Sequence, residues 1–109
     1  MQKTMKGDIS MPNAVYFVSY KLKKGACVPD FLSASKALND GYMCKQKGYI
    51  SWKQMVDGET WADLLTVETM EDAQRISNPT EPNELAEKFY AFINLNSCRA
   101  HLFSVERSY

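Results

Sequence analysis

The chain has 109 residues, of which 45% are hydrophobic and 24% charged, as expected for one small globular domain. Its 13 basic and 13 acidic residues cancel, which argues against nucleic acid and anionic membranes as partners. A polar amino-terminal segment and the lack of any long apolar run favour a cytoplasmic location.

The first half of the chain predicts a leader, a strand and a helix. Residues 1–13 show no hydrophobic period, so we expect a flexible leader before a single domain at residues 14–107. Residues 15–22 are rich in β-branched and aromatic side chains, which predicts a strand with apolar groups on both faces. Pro29 indicates the start of a helix of four or five turns, because proline suits the first helical position. The predicted apolar stripe of this helix is Phe31, Ala34, Leu38 and Tyr42.

A β-hairpin is predicted in the middle of the chain. Residues 49–56 alternate as a strand, Asp57-Gly58 is a typical hairpin turn, and residues 61–68 return antiparallel. A two-residue turn, at Asp57-Gly58 or at Gly58-Glu59, places the same set of side chains on a common sheet face. This set is Ile50, Trp52, Gln54, Val56, Trp61, Asp63, Leu65 and Val67.

The last third of the chain predicts two helical pieces and a strand. Thr69 is a suitable N-cap for a helix over residues 70–77, which ends before Pro79. A second helical piece is expected from about residue 80 or 82 to residue 95, and the final strand over residues 98–106.

The predicted element order is β-α-β-β-α-β. This is the ferredoxin-like, split βαβ plan, an α+β fold in which helices cover one face of a four-stranded antiparallel sheet. Each predicted strand nevertheless carries apolar groups on both faces. We therefore expect the uncovered face to pair with a second copy of the chain, giving a homodimer.

The hairpin region and the segment after it resemble a known group of proteins. Gly48-Tyr49 starts the second strand, Trp61-Ala62-Asp63 lies in the third, and Thr69-Met-Glu-Asp-Ala73 starts a helix. These segments resemble the dimeric α+β barrel superfamily, which includes the antibiotic biosynthesis monooxygenase-like proteins. The resemblance covers roughly residues 14–107 and implies the fold and the dimer. It does not single out one activity, because the superfamily includes cofactor-free monooxygenases, haem-degrading enzymes, isomerases and dehydratases.

Asp63 is the first candidate for a catalytic role. On the predicted sheet face, two indoles, an amide and this carboxylate would form a cavity with apolar walls and a few polar groups. A carboxylate enclosed by tryptophans is expected to have a raised pKa and to act as a base. The alternative is that Trp52 and Trp61 fill the core while Asp63 pairs with a cation or a backbone donor.

His101 is the second catalytic candidate, because imidazole can transfer a proton near neutral pH. The alternative is a hydrogen-bonded structural histidine on the last strand, on the same face as Arg99 and Phe103. Tyrosines can supply phenol groups to an aromatic ligand, although they often only pack. The predicted substrate-binding residues are Tyr16, Tyr42, Trp52, Gln54 and Trp61.

The sequence predicts no metal or organic cofactor. The three cysteines are widely spaced, without a CxxC pair or a Cys/His cluster, so we expect reduced, unreactive thiols. Haem-degrading relatives carry a haem-ligating histidine on a helix, whereas the only histidine here lies on the last predicted strand.

Two functions fit these observations. The first is a cofactor-independent, monooxygenase-like enzyme that acts on a small aromatic substrate, for which the resemblance implies a polycyclic phenol activated by deprotonation. The second is a non-catalytic dimeric module that binds a small apolar ligand or has a structural role.

Overall fold

A computed structural model of the chain describes residues 12–109. The strands are β1 (Ala14–Leu22), β2 (Tyr49–Asp57), β3 (Thr60–Val67) and β4 (Ile93–Ser104). The helices are α1 (Val28–Gly41), α2 (Met70–Ser77) and α3 (Glu84–Tyr90), and a 3-10 turn spans Met43–Lys45. The predicted β-α-β-β-α-β order is confirmed, with α2 and α3 together forming the second crossover. The predicted leader falls outside the described residues except for Pro12 and Asn13.

The strands form one antiparallel sheet in the order β2-β3-β1-β4. This order places β3 and β1 in the centre, because the connection from β1 to β2 skips the position of β3 and the connection from β3 to β4 skips β1. The helices pack on one face of the sheet, where a cluster of aromatic and aliphatic side chains is buried. The alternate side chains of the same strands form the opposite face, which we call the open face. Its members include Val15, Phe17, Met55, Leu64, His101 and Phe103.

Phe31 of α1 is the centre of the core and is fully buried. Its ring lies 5.2 Å from Trp61 and 5.3 Å from Phe89, measured between ring centroids. It therefore connects α1 to both β3 and α3. Ser35, one turn further along α1, is also buried and donates its hydroxyl to the Phe31 carbonyl oxygen at 2.8 Å.

The helix α2 begins and ends as its sequence predicts. The Thr69 side chain accepts a hydrogen bond from the Asp72 backbone N–H at 3.1 Å, which caps the helix. Arg75 donates to the Asp72 carboxylate at 2.9 Å and to the Lys47 carbonyl oxygen at 2.6 Å. These contacts fasten the start of α2 to the segment that enters β2. No helix within residues 12–109 is long and apolar enough to cross a membrane.

The prediction for Ile50 is wrong. Tyr49 pairs with Val67 and Ser51 pairs with Thr66, so Ile50 lies in a β-bulge between them and is 45% exposed. An extra residue in one strand reverses the alternation beyond it. Tyr49 therefore lies on the helix-covered face in the place predicted for Ile50.

The predicted boundary between the last helix and strand is also wrong. The helix α3 ends at Tyr90 instead of residue 95, and β4 begins at Ile93 instead of residue 98. Ile93 and Phe92 continue the helical spacing of apolar residues, but Ile93 is buried as the first residue of the strand. The pairing of β4 with β1 is then irregular between Asn94 and Arg99, and the polar residues there hide the strand pattern.

Candidate functional site

A cavity of about 130 Å³ lies between the helix-covered face of the sheet and the helices above it. Its floor comes from the strands, and its roof includes Leu38 of α1, Met43 of the 3-10 turn and Phe89 of α3. Within residues 12–109, Asp63 is the one charged side chain that lines it. The cavity therefore combines apolar walls with a single carboxylate, as is typical of sites for small molecules.

Asp63 lies on β3 with Val18 of β1 on one side and Gln54 of β2 on the other. Its side chain is only 7% exposed. The Tyr20 hydroxyl donates a hydrogen bond to Asp63 Oδ1 at 2.8 Å. Among the described residues, no lysine, arginine or histidine forms an ion pair with Asp63. The carboxylate thus accepts a hydrogen bond from a neutral donor, and none of these side chains balances its negative charge.

Burial raises the pKa of Asp63 from its ordinary value of 3.8 to about 6, because the charged form loses its hydration. Donation from the Tyr20 hydroxyl, and a smaller contribution from the Trp52 indole, act in the opposite direction by stabilising the carboxylate. The pKa of Tyr20 is raised well above its usual range by burial and by the adjacent Asp63. Tyr20 therefore remains a donor, and Asp63 is suited to accept a proton near neutral pH.

Gln54 and Trp61 lie beside the cavity without lining it. The Gln54 amide donates to Ser35 Oγ at 2.9 Å, which fastens β2 to α1. Trp61 is buried edge-on against Phe31. Of the predicted binding residues, Trp52 and Tyr16 do line the cavity, together with the predicted catalytic Asp63. The structure therefore brings together about half of the predicted site.

The two predicted catalytic residues lie on opposite faces of the sheet. His101 pairs with Phe17 on β1, whereas Asp63 pairs with the next residue, Val18, and adjacent residues of a strand point to opposite faces. On the open face, the His101 ring stacks on Phe103 with centroids 4.5 Å apart. His101 thus cannot exchange a proton directly with Asp63.

The predicted binding residue Tyr42 does not line the cavity either. It follows the end of α1 and lines a separate polar groove with Gln46, Arg75 and Asn78. It is nevertheless close enough to Tyr90, which does line the cavity, to raise the pKa of that residue.

The mouth of the cavity contains two residues that the sequence-based interpretation does not include, Tyr90 and Cys98. With Tyr16 they line the side between α3 and the edge strand β4, where Tyr90 is 49% exposed. Burial is the main cause that raises the pKa of all three groups, and the negative charge of Asp63 raises the pKa of each further. All three therefore stay protonated at neutral pH and face the cavity as neutral groups.

The alternation of side chains along β4 could have predicted part of the cavity mouth from the sequence. Counting back from His101 along β4 places Ala100 and Cys98 on the helix-covered side, and both line the cavity. Tyr90 gives no such signal, because it adjoins the buried Phe89 and its position depends on how α3 packs. Within residues 12–109, no three His, Cys, Asp or Glu side chains are placed to hold a metal ion.

This sheet and its one-sided helical layer form the ferredoxin-like α+β fold of antibiotic biosynthesis monooxygenase-like proteins. SnoaB, a cofactor-independent oxygenase from Streptomyces nogalater, matches 89% of this chain and 96% of its own, with a TM-score of 0.69 and 10% identity. A candidate antibiotic biosynthesis monooxygenase from Nitrosomonas europaea matches 90% of this chain and 94% of its own, with a TM-score of 0.67 and 10% identity.

A third solved structure, a dimeric protein of unknown function with a ferredoxin-like fold from Bacteroides fragilis, has a TM-score of 0.60 and 14% identity. The alignment covers 88% of this chain and 99% of that one. No family model and no curated protein matches the sequence. The resemblance predicted from the sequence is thus confirmed for the fold, which is what identities of 10–14% can show.

Proposed function

We propose that this chain is a cofactor-independent oxygenase of the monooxygenase type that acts on a small aromatic substrate, with Asp63 as the general base. The observation that carries the proposal is a buried carboxylate in an otherwise uncharged, largely apolar cavity, with a pKa raised to about 6. A base of this pKa is well matched to proton transfer near pH 7. SnoaB, which shares the fold, is described as a cofactor-independent oxygenase.

The chemistry begins with the transfer of a phenolic or enolic proton from the substrate to Asp63. Oδ1 accepts the Tyr20 hydrogen bond, so Oδ2 is the atom available to receive this proton. The resulting anion gives one electron to dioxygen, and the substrate radical and superoxide combine at a ring carbon to form a peroxide. Loss of water then leaves a quinone carbonyl. Overall, a phenol and one dioxygen yield a quinone and one water, and the substrate supplies all four electrons.

The cavity assists this reaction by excluding water and by keeping its other groups neutral. An apolar surrounding strengthens each electrostatic interaction of the bound anion. Protonated Tyr16 and Tyr90 can donate hydrogen bonds to oxygen atoms of the substrate at the mouth. The protein therefore supplies a base, donors and shape, while the substrate supplies the reducing power.

Oxygen uptake tests this proposal directly. Purified protein is supplied with two phenols, the one-ring resorcinol and the two-ring 1,3-dihydroxynaphthalene, and with the three-ring ketone anthrone, whose methylene proton is lost to give an enolate. We expect Asp63→Asn to lower turnover by about 10²-fold or more, the usual contribution of a general base. Asp57→Asn, at the exposed hairpin turn, is the matched control and should leave turnover unchanged. Full activity of Asp63→Asn would refute the role of Asp63, and binding without oxygen uptake would favour a ligand-binding module.

We also propose that two copies of the chain pair through their open faces. Val15, Phe17 and Leu64 form an apolar strip across the central strands, continued by Phe103 on β4. The Bacteroides fragilis protein with this fold is described as dimeric. Such pairing would place the stacked His101 and Phe103 rings in the interface, which gives His101 a structural role instead of a catalytic one.

A further inference from the structure

We infer that the cavity admits a single aromatic ring and excludes fused-ring phenols, and that Tyr90 sets this limit. The inference rests on the proposed function and narrows its substrate class, and it departs from the polycyclic phenol that the resemblance implies. The cavity volume of about 130 Å³ is the first observation. An apolar protein cavity of about 150 Å³ is known to hold benzene. Each fused ring adds carbon atoms for which this volume has no room, since protein interiors are close-packed.

The inner walls of the cavity cannot easily move to enlarge it. Phe89 is almost fully buried, and its ring contacts Phe31 at 5.3 Å and Trp52 at 5.6 Å between centroids. Leu65, on the floor, is 3% exposed. Displacing any of these side chains would disturb the core that joins α1, α3 and the sheet. At these two walls the cavity cannot easily be enlarged, so we expect it to grow toward the mouth.

Tyr90 closes the mouth from the last residue of α3. Its ring packs against Phe89 at 5.4 Å, and about half of its surface is exposed. A substitution there removes a wall of the cavity while leaving the buried aromatic cluster in place. Tyr90 is thus the position where ligand size can be changed without unfolding the protein.

The polar groups favour a ring that carries two hydroxyls. Asp63 offers an acceptor inside the cavity, and the phenols of Tyr16 and Tyr90 offer donors at its mouth. All three residues line the same cavity. A single ring such as resorcinol presents one hydroxyl to the carboxylate and another to the mouth, with its apolar faces against Trp52 and Phe89.

Binding measurements on the size series test the inference without any need for turnover. Isothermal titration calorimetry gives the affinities of the three compounds. The indole N–H NMR signal of Trp52, assigned with Trp61→Phe, reports whether each ligand occupies the cavity. We expect resorcinol to bind at least tenfold more tightly than 1,3-dihydroxynaphthalene or anthrone. Tyr90→Ala should raise the affinity for the two-ring phenol at least tenfold.

Two control variants separate ring size from other effects. Tyr90→Phe keeps the ring and should still exclude the two-ring phenol, and Tyr109→Ala removes an exposed terminal tyrosine and should change nothing. Equal affinity of the wild type for one- and two-ring phenols, failure of resorcinol to bind, or no gain in Tyr90→Ala would overturn the inference. Resorcinol binding without oxygen uptake would instead overturn the proposed oxygenase activity and leave the size limit standing.

Discussion

The buried Asp63 should make the protein less stable as the pH rises. Its pKa is 3.8 in an unfolded chain and about 6 in the folded protein, so the folded state binds the proton more tightly. The stabilisation that protonated Asp63 contributes is therefore fully present below about pH 4 and is lost as the pH rises through about 6. A difference of about 2 pKa units corresponds to about 3 kcal/mol in the free energy of unfolding.

Asp63→Asn removes the ionisation and keeps an oxygen that can accept the Tyr20 hydrogen bond. Urea unfolding of the wild type and the variant, measured from pH 3.5 to pH 8, isolates the effect because other titrating groups cancel in the difference. We expect the free energy of unfolding of the variant, relative to that of the wild type, to increase by about 3 kcal/mol between pH 4 and pH 8. Asp57→Asn, at an exposed position, should show a flat difference. A flat difference for Asp63→Asn as well would show that the carboxylate is hydrated in the folded protein and would refute the reasoning.

Two further predictions concern Tyr20 and the open face. Tyr20→Phe removes the donor to Asp63 Oδ1, so the pKa of the carboxyl should rise by about one unit or more, and the pH midpoint of kcat/KM should rise with it. An unchanged midpoint would contradict this contact. Leu64→Glu introduces a charge into the proposed interface and should convert dimers into folded monomers in sedimentation velocity, whereas the same substitution at exposed Leu32 of α1 should not.

The sequence predicts the hairpin face well because the turn sets its register. Asp57 pairs with Thr60, so the two-residue turn is Gly58-Glu59. A turn at Asp57-Gly58 would have had the same parity, and this parity places Trp52 and Asp63 on a common face. The prediction from alternation failed at Ile50, because the bulge in the edge strand β2 leaves no recognisable pattern in the sequence of this segment.

The separation of His101 from Asp63 could not be predicted from either strand alone. Alternation assigns residues to the two faces of one strand, but both faces of β4 carry apolar groups, so the pattern does not show which one meets the helices. The strand order and the pairing of β4 with β1 decide this, and both depend on contacts between distant parts of the chain. Tyr90 was missed for the same reason, because its place at the mouth depends on the packing of α3 against the sheet.

The strand β3 contributes to the proposed site from one face and to the proposed dimer interface from the other. The two proposals can therefore be tested separately. Asp63 and Leu64 are consecutive residues, yet one lines the cavity and the other lies on the open face. The cavity forms between the sheet and the helices of a single chain, so we expect a monomeric Leu64→Glu variant still to bind resorcinol, although with lower stability. Calorimetry at a concentration where sedimentation shows only folded monomer measures this. If binding were lost together with the dimer, the partner chain would have to complete the site, and the cavity of the single chain would not be sufficient.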